Sequence, residues 1–185
     1  MIKDVLRDAE SRMKSTVSVL EEDLLGLRTG RASTGLVEKL PVEYYGTPTP
    51  LYQLATISVP EPQLIAIRPF DRGSLKIIER AIQASDLGLT PNNDGQIIRL
   101  NIPALTQERR NELQKVVSRR VEEARVSIRN IRRAAIDDIR EFEREKLISE
   151  DESKRGQDDI QKLTDRYIEE VEATGRRKEQ EIKEV

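Results

Sequence analysis

The chain has 185 residues, 36% of them charged and only 3% aromatic, with no Cys, His or Trp and a formal net charge of −2. These absences exclude thiol nucleophiles, disulfide frameworks, His/Cys zinc sites and histidine acid–base catalysis. So polar a chain is either disordered or built from long solvent-exposed helices, and regular apolar spacing favours the helices.

The N-terminal stretch MIKDVLRDAESRMK lacks an apolar core, so it does not read as a signal peptide. No segment approaches the roughly 20 apolar residues of a membrane span. A cytoplasmic protein with no membrane contact is expected. Leu6, Ala9, Met13, Val17, Leu20, Leu24 and Leu27 then recur at threes and fours, one stripe of a first helix. Gly30 is the expected C′ residue that ends it.

Residues 31–105 contain all eight prolines of the chain. Between them lie β-type runs at 42–45 (VEYY), 55–59 (ATISV), 64–70 (LIAIRPF) and 97–102 (IIRLNI). One amphipathic helix interrupts them, with Leu75, Ile78, Ala81 and Ile82 on a common face. Asp71-Arg72-Gly73-Ser74 reads as a turn capping that helix, and PNNDG at 91–95 as a turn. A small α/β domain is therefore predicted within a helical protein.

Thr106 is the expected N-cap of a second long helix. Its stripe runs Leu113, Val117, Val121, Ala124, Ile128, Ile131, Ala135, Ile139 and Phe142. A third helix opens on the capping-box pair Ser149 and Glu152 and carries Ile160, Leu163, Tyr167, Val171 and Thr174. Three helices with one apolar stripe each must bury them together, which predicts a long three-helix bundle. The fold class read from these patterns is α+β. The bundle takes residues 1–29 and 106–185, and a small β/α/β domain takes 31–103. Hinges are expected near 29–31 and 103–106, at Gly30, Arg31, Pro103, Ala104 and Leu105. Paired linkers of this kind favour hinged motion.

No catalytic constellation, phosphate loop or dinucleotide fingerprint is present, so neither an enzyme nor a cofactor is expected. Charge distribution is more telling. Between Arg109 and Arg133 nine basic residues face three acidic ones, a local +6. Over 149–185 eight basic residues face twelve acidic ones, a local −4. On a helical wheel Arg125, Arg129, Arg132 and Arg133 fall in a sector of about 100°, flanking the apolar stripe. Asp137, Glu141 and Glu123 fall mainly on the far side of that sector, and Glu122 falls inside it.

Two readings of this ridge stay open on the residues alone. Exposed arginines can pair with neighbouring acids and solubilise a rod, each pair stabilising by at most ~1 kcal/mol. Alternatively their planar forks grip RNA phosphates. The corresponding alternative for the whole chain is a helical interaction protein that binds protein partners without RNA.

Several ordered stretches resemble the ribosome recycling factor family: LRTGRAS at 27–33, VEYYGTPTPL at 42–51, ASDLGL at 84–89, IPALTQERR at 102–110, ARVSIRNIRRAA at 124–135 and ISEDESKRGQDDIQKLTD at 148–165. The resemblance runs over essentially the whole chain. It implies an L-shaped, two-domain, monomeric translation factor. Such a factor binds the post-termination ribosome through its bundle, on large-subunit rRNA, and splits it with elongation factor G and GTP. It further implies that Arg132 is tied to ribosome binding, with Arg129 and Arg133 in the same ridge and Arg28 and Arg31 in the LRTGRAS segment. Arg125, Arg109 and Arg110 complete the expected rRNA-binding set. Where the family often carries a second proline, this chain has Ala104.

Overall fold

The structure, a computed structural model, describes residues 1–184 and divides into two compact units, residues 1–28 with 107–184 and residues 29–106.

The first unit packs three helices, α1 (Ile2–Leu25), α3 (Gln107–Arg144) and α4 (Glu150–Lys183). Each buries the face its sequence period defines. Ala9, Met13, Val17, Leu20 and Leu24 of α1 meet Leu113, Val117, Val121, Ile128 and Ile139 of α3 and Ile160, Tyr167, Val171 and Ile182 of α4 in one core. The expected end of the first helix is corrected. It stops at Leu25 with Gly26 as its C-cap, in right-handed geometry (φ −70°), because glycine is a poor helix former. Gly30 lies beyond, in the following loop, where its φ of +75° does require the freedom of glycine.

The turn from α3 to α4 is short and well bonded. Leu147 N–H donates to Phe142 O and Lys146 N–H to Glu143 O, both at 2.9 Å, with Lys146 in the left-handed region. This is the Schellman pattern with lysine in the place usually held by glycine. The capping box follows. Ser149 N–H donates to Glu152 Oε2 at 2.7 Å and Glu152 N–H to Ser149 Oγ at 3.1 Å. The chain therefore reverses within a few residues, and α4 runs antiparallel to α3.

The stripe on α4 differs in one place from its prediction. Thr164 is fully buried, whereas Leu163 is only partly so. The hydroxyl of Thr164 donates to Ile160 O at 2.8 Å, which satisfies it without a partner outside its own helix. Small residues fill other core positions, among them Ser153, Gly156 and Gly175. A Cβ at Gly175 would lie 2.6 Å from Val121 Cγ2, so glycine allows α4 to sit close against α3 there.

The second unit holds a two-stranded sheet, β1 (Pro41–Tyr44) with β2 (Thr47–Pro50). It also holds an antiparallel four-stranded sheet in the order β3 (Ala55–Glu61), β4 (Leu64–Pro69), β6 (Ile98–Asn101), β5 (Pro91–Asn93). Alternation turns Ile65 and Ile67 of β4 and Ile98 and Leu100 of β6 inward, and the register pairs Ile65 with Leu100 and Ile67 with Ile98. Helix α2 (Leu75–Ala84) adds Leu75, Ile78 and Ile82 to that core. Asp71 accepts from Gly73 N–H at 3.0 Å and starts the turn into α2, as its sequence predicts.

Two strands lie outside the predicted runs. β2 reads Thr-Pro-Thr-Pro, and β5 takes Pro91–Asn93 out of the stretch predicted as a turn, leaving Asp94 and Gly95 to turn the chain. Proline cannot donate to a ladder, so a strand rich in it survives only where one edge needs no partner. β2 pairs with β1 alone and β5 with β6 alone.

Candidate RNA-binding ridge

Helix α3 positions the ridge. Its core stripe fixes the helix rotation, so residues about 100° around from that stripe emerge along the seam with α4. Arg125, Arg129, Arg132 and Arg133 all sit on this flank, Arg125 and Arg132 half-buried and the other two exposed.

Their surroundings divide them. Arg125 reaches Glu122 Oε2 with a 2.7 Å hydrogen bond. Its Nε lies 3.3 Å from Glu172 Oε1 of α4, an electrostatic contact without hydrogen-bond alignment. Its side chain is 29% exposed. Arg129 is 3.8 Å from the other oxygen of Glu122. Glu122, the acid inside the basic sector, thus answers the upstream part of the ridge.

Further along α3 the acids stop answering. Arg132, Arg133 and Arg140 line a groove of about 430 Å3 with Ile136, Asp137 and, from α4, Gln161. Among the described residues none of the three arginines has a carboxylate within 4.0 Å. Asp137, expected beyond the basic sector, lines this same groove but does not pair. Arg140 lies outside the stretch over which the charge is counted, although eight residues on from Arg132 is a return to within ~80° of it. Gln161 carried no signal, since only the packing of α4 brings it to the arginines.

The other expected site residues lie apart from the groove. Arg109 and Arg110 occupy the first turn of α3, roughly 35 Å along the helix from Arg132. Arg109 is paired with Glu112 at 3.0 Å. Arg28 and Arg31 are exposed and belong to different units. Gly30, Arg31, Pro103, Ala104 and Leu105 all fall within the second unit's span, in segments without helix or strand.

What the arrangement can do is hold anions. Three guanidiniums along one groove, with no carboxylate within 4.0 Å among the described residues, suit a chain of phosphates. The fold and groove define an α+β protein whose helical unit carries an arginine-lined groove. Comparison with known proteins supplies the family. The model of the ribosome recycling factor family matches residues 20–182. The ribosome-recycling factor of Symbiobacterium thermophilum is 55% identical over 185 residues, covering 100% of both chains. That of Carboxydothermus hydrogenoformans is 56% identical over 182 residues, covering 98% of each. A solution structure of a ribosome recycling factor superposes with a TM-score of 0.77 at 46% identity, over 100% of this chain and 98% of that one. A second structure, described as models for the T. thermophilus ribosome recycling factor and the E. coli elongation factor G bound to the E. coli post-termination complex, gives a TM-score of 0.64 at 46% identity, over 98% of each chain. The chain belongs to the ribosome recycling factor family.

Proposed function

We propose that this chain acts after termination of protein synthesis. It binds the post-termination ribosome through its helical unit, on large-subunit rRNA. With elongation factor G and GTP it then separates the subunits for another round. The GTPase is assigned to the partner, consistent with a sequence that has no nucleotide-binding motif. It works in the cytoplasm, where ribosomes are, as a monomer and without chemistry of its own. No helix among the described residues is long and apolar enough to cross a membrane.

The observation that carries the proposal is the set of unpaired arginines, Arg132, Arg133 and Arg140, along one groove of α3 in a chain of this family. Arg132 is the central contact, with Arg129 and Arg133 beside it and Arg125, Arg109, Arg110, Arg28 and Arg31 contributing positive field. The two connections between the units are assigned as hinges. Gly30, at φ +75°, holds a backbone angle other residues resist, while Pro103 restrains the second strand. The alternative, a helical rod that binds only protein partners, is not favoured by any observation.

The test is subunit splitting. Post-termination complexes incubated with this protein, elongation factor G and GTP are expected to dissociate, read by light scattering or gradient sedimentation. Omitting any one component should abolish it. Intact complexes in the full mixture, with a folded protein, would refute the proposal.

A further inference from the structure

A second basic groove lies on the other flank of α4. Lys3 and Arg7 of α1 and Lys162 and Arg166 of α4 line a space of about 550 Å3 floored by Leu6 and Leu163. The two helices run parallel. A Cβ at Gly156 would meet Ile2, and Arg166 meets Glu10, so the opening turns of α1 lie beside the stretch 156–166 of α4. Only this pairing brings the four cations together.

The groove also holds two acids, Glu10 and Asp159. Glu10 is already engaged. Its Oε1 accepts from Arg166 at 2.6 Å and from the Tyr167 hydroxyl at 3.1 Å, with Lys14 at 3.8 Å. Arg166 in turn donates to the Tyr167 oxygen at 2.9 Å and lies over that ring, 4.8 Å from its centre. These contacts fix the guanidinium at the groove wall, with several of its five N–H donors left over. Among the described residues Lys3, Arg7 and Lys162 have no carboxylate within 4.0 Å. Three unanswered cations and one held arginine outweigh the single unengaged acid, Asp159.

The position of the groove matters as much as its charge. Gln161 lines the Arg132 groove and the next residue, Lys162, lines this one. The two grooves therefore lie at one level along the rod, on opposite flanks of α4. Asp158 and Asp165 project between them on the helical wheel. That acidic strip disfavours one phosphate track running across α4 and favours two separate ones.

We propose that the α1/α4 groove is a second RNA-backbone site, which holds a strand other than the one in the Arg132 groove. Lys3 to Glu10 spans roughly 10 Å of helix, enough for about three consecutive phosphates. The rod is then gripped from both sides of α4 rather than laid on RNA by one face. This rests on the proposed function, and the experiment separates the two.

Binding to purified large ribosomal subunits is measured across a salt series for the wild type, Arg132→Glu and the double variant Arg7→Gln/Lys162→Gln. Arg166 is left intact because it holds Glu10. Chemical footprints on the rRNA are read in parallel, and thermal melts establish that each variant is folded. The double variant is expected to bind about 10-fold more weakly, with its salt slope lower by roughly 1.5 for the two lost contacts. It should lose protection at an rRNA tract that Arg132→Glu leaves protected. Unchanged affinity and slope, or loss of only the protections that Arg132→Glu loses, overturns the second site. If Arg132→Glu also binds as the wild type does, the rRNA-binding function itself fails, and this inference with it.

Discussion

The arginines near Arg125 and those around Arg132 sit on the same face of the same helix, yet their surroundings differ. Arg125 is drawn down between Glu122 and Glu172 and is 29% exposed. Arg132 lines a groove with Gln161 of α4 and Asp137, and among the described residues no carboxylate lies within 4.0 Å of it. The residue type and the wheel position are shared. What differs is the side chain that α4 places opposite. An arginine answered from within the fold contributes a modest ion pair. One left unanswered keeps its donors and its charge for an external anion.

The largest expected effect comes from reversing the charge at the unanswered end. Arg132→Glu should weaken large-subunit binding by roughly 100-fold while the melting temperature stays within a few degrees. Helix propensity is nearly unchanged by this substitution, so a loss of binding cannot be ascribed to unfolding. Next in size, Gln161→Glu would place in the Arg132 groove a carboxylate from α4, as Glu172 stands beside Arg125. Binding should fall by about 10-fold, although residue 161 is on α4 and removes no cation. Filter binding or fluorescence anisotropy at fixed salt reads both.

Smaller effects come from the answered end. Arg125→Gln is expected to cost ~1 kcal/mol of stability in urea unfolding, because it leaves Glu122 and Glu172 without their shared cation, and to change binding by less than about 3-fold. Glu122→Gln should release Arg125 and Arg129 toward solvent and tighten binding about 2-fold. A loss of binding in that variant would mean that Glu122 aligns the ridge rather than competing for it.

Acid separates internal pairing from external grip most gently. In the second unit, hydrogen bonds from Ile97 N–H, from the Arg99 side chain and from Gln96 N–H hold the Asp94 carboxyl far below its usual range. The Ser149 backbone N–H and hydroxyl lower that of Glu152 in the first unit. A depressed carboxyl pKa stabilises the fold above the unfolded value, near pH 4. That contribution fades as pH falls from there through the folded value. Both units should therefore weaken on acidification below about pH 4, and replacing Asp94 with Asn should flatten that decline, read from melts across pH.

Much of this architecture is legible in the chain. Periods of three and four survive on α1, α3 and α4 because a single core stripe decides each helix rotation. The capping box at Ser149 and Glu152 is local chemistry, and local chemistry reads well. The strands β2 and β5 are hidden because proline speaks against a strand unless one knows that it lies at an edge. Thr164 is hidden because its hydroxyl is satisfied inside its own helix, so a polar residue passes for core. The positions of the ridge arginines are readable on a wheel, but their division into answered and unanswered is not. It depends on Glu172 and Gln161, which only packing brings across the seam. The α1/α4 groove is hidden for the same reason, since its cations come from the two ends of the sequence.

The most direct measurement is the salt dependence of large-subunit binding for the wild type, Arg132→Glu and Arg125→Gln. The log of the association constant should fall linearly with log salt for all three. Arg132→Glu should show a slope shallower by about 1 or more, while Arg125→Gln keeps the wild-type slope to within about 0.3. Equal slopes for the wild type and Arg132→Glu, or equal losses for both variants, would contradict the division of the ridge into a structural end and an RNA-binding end.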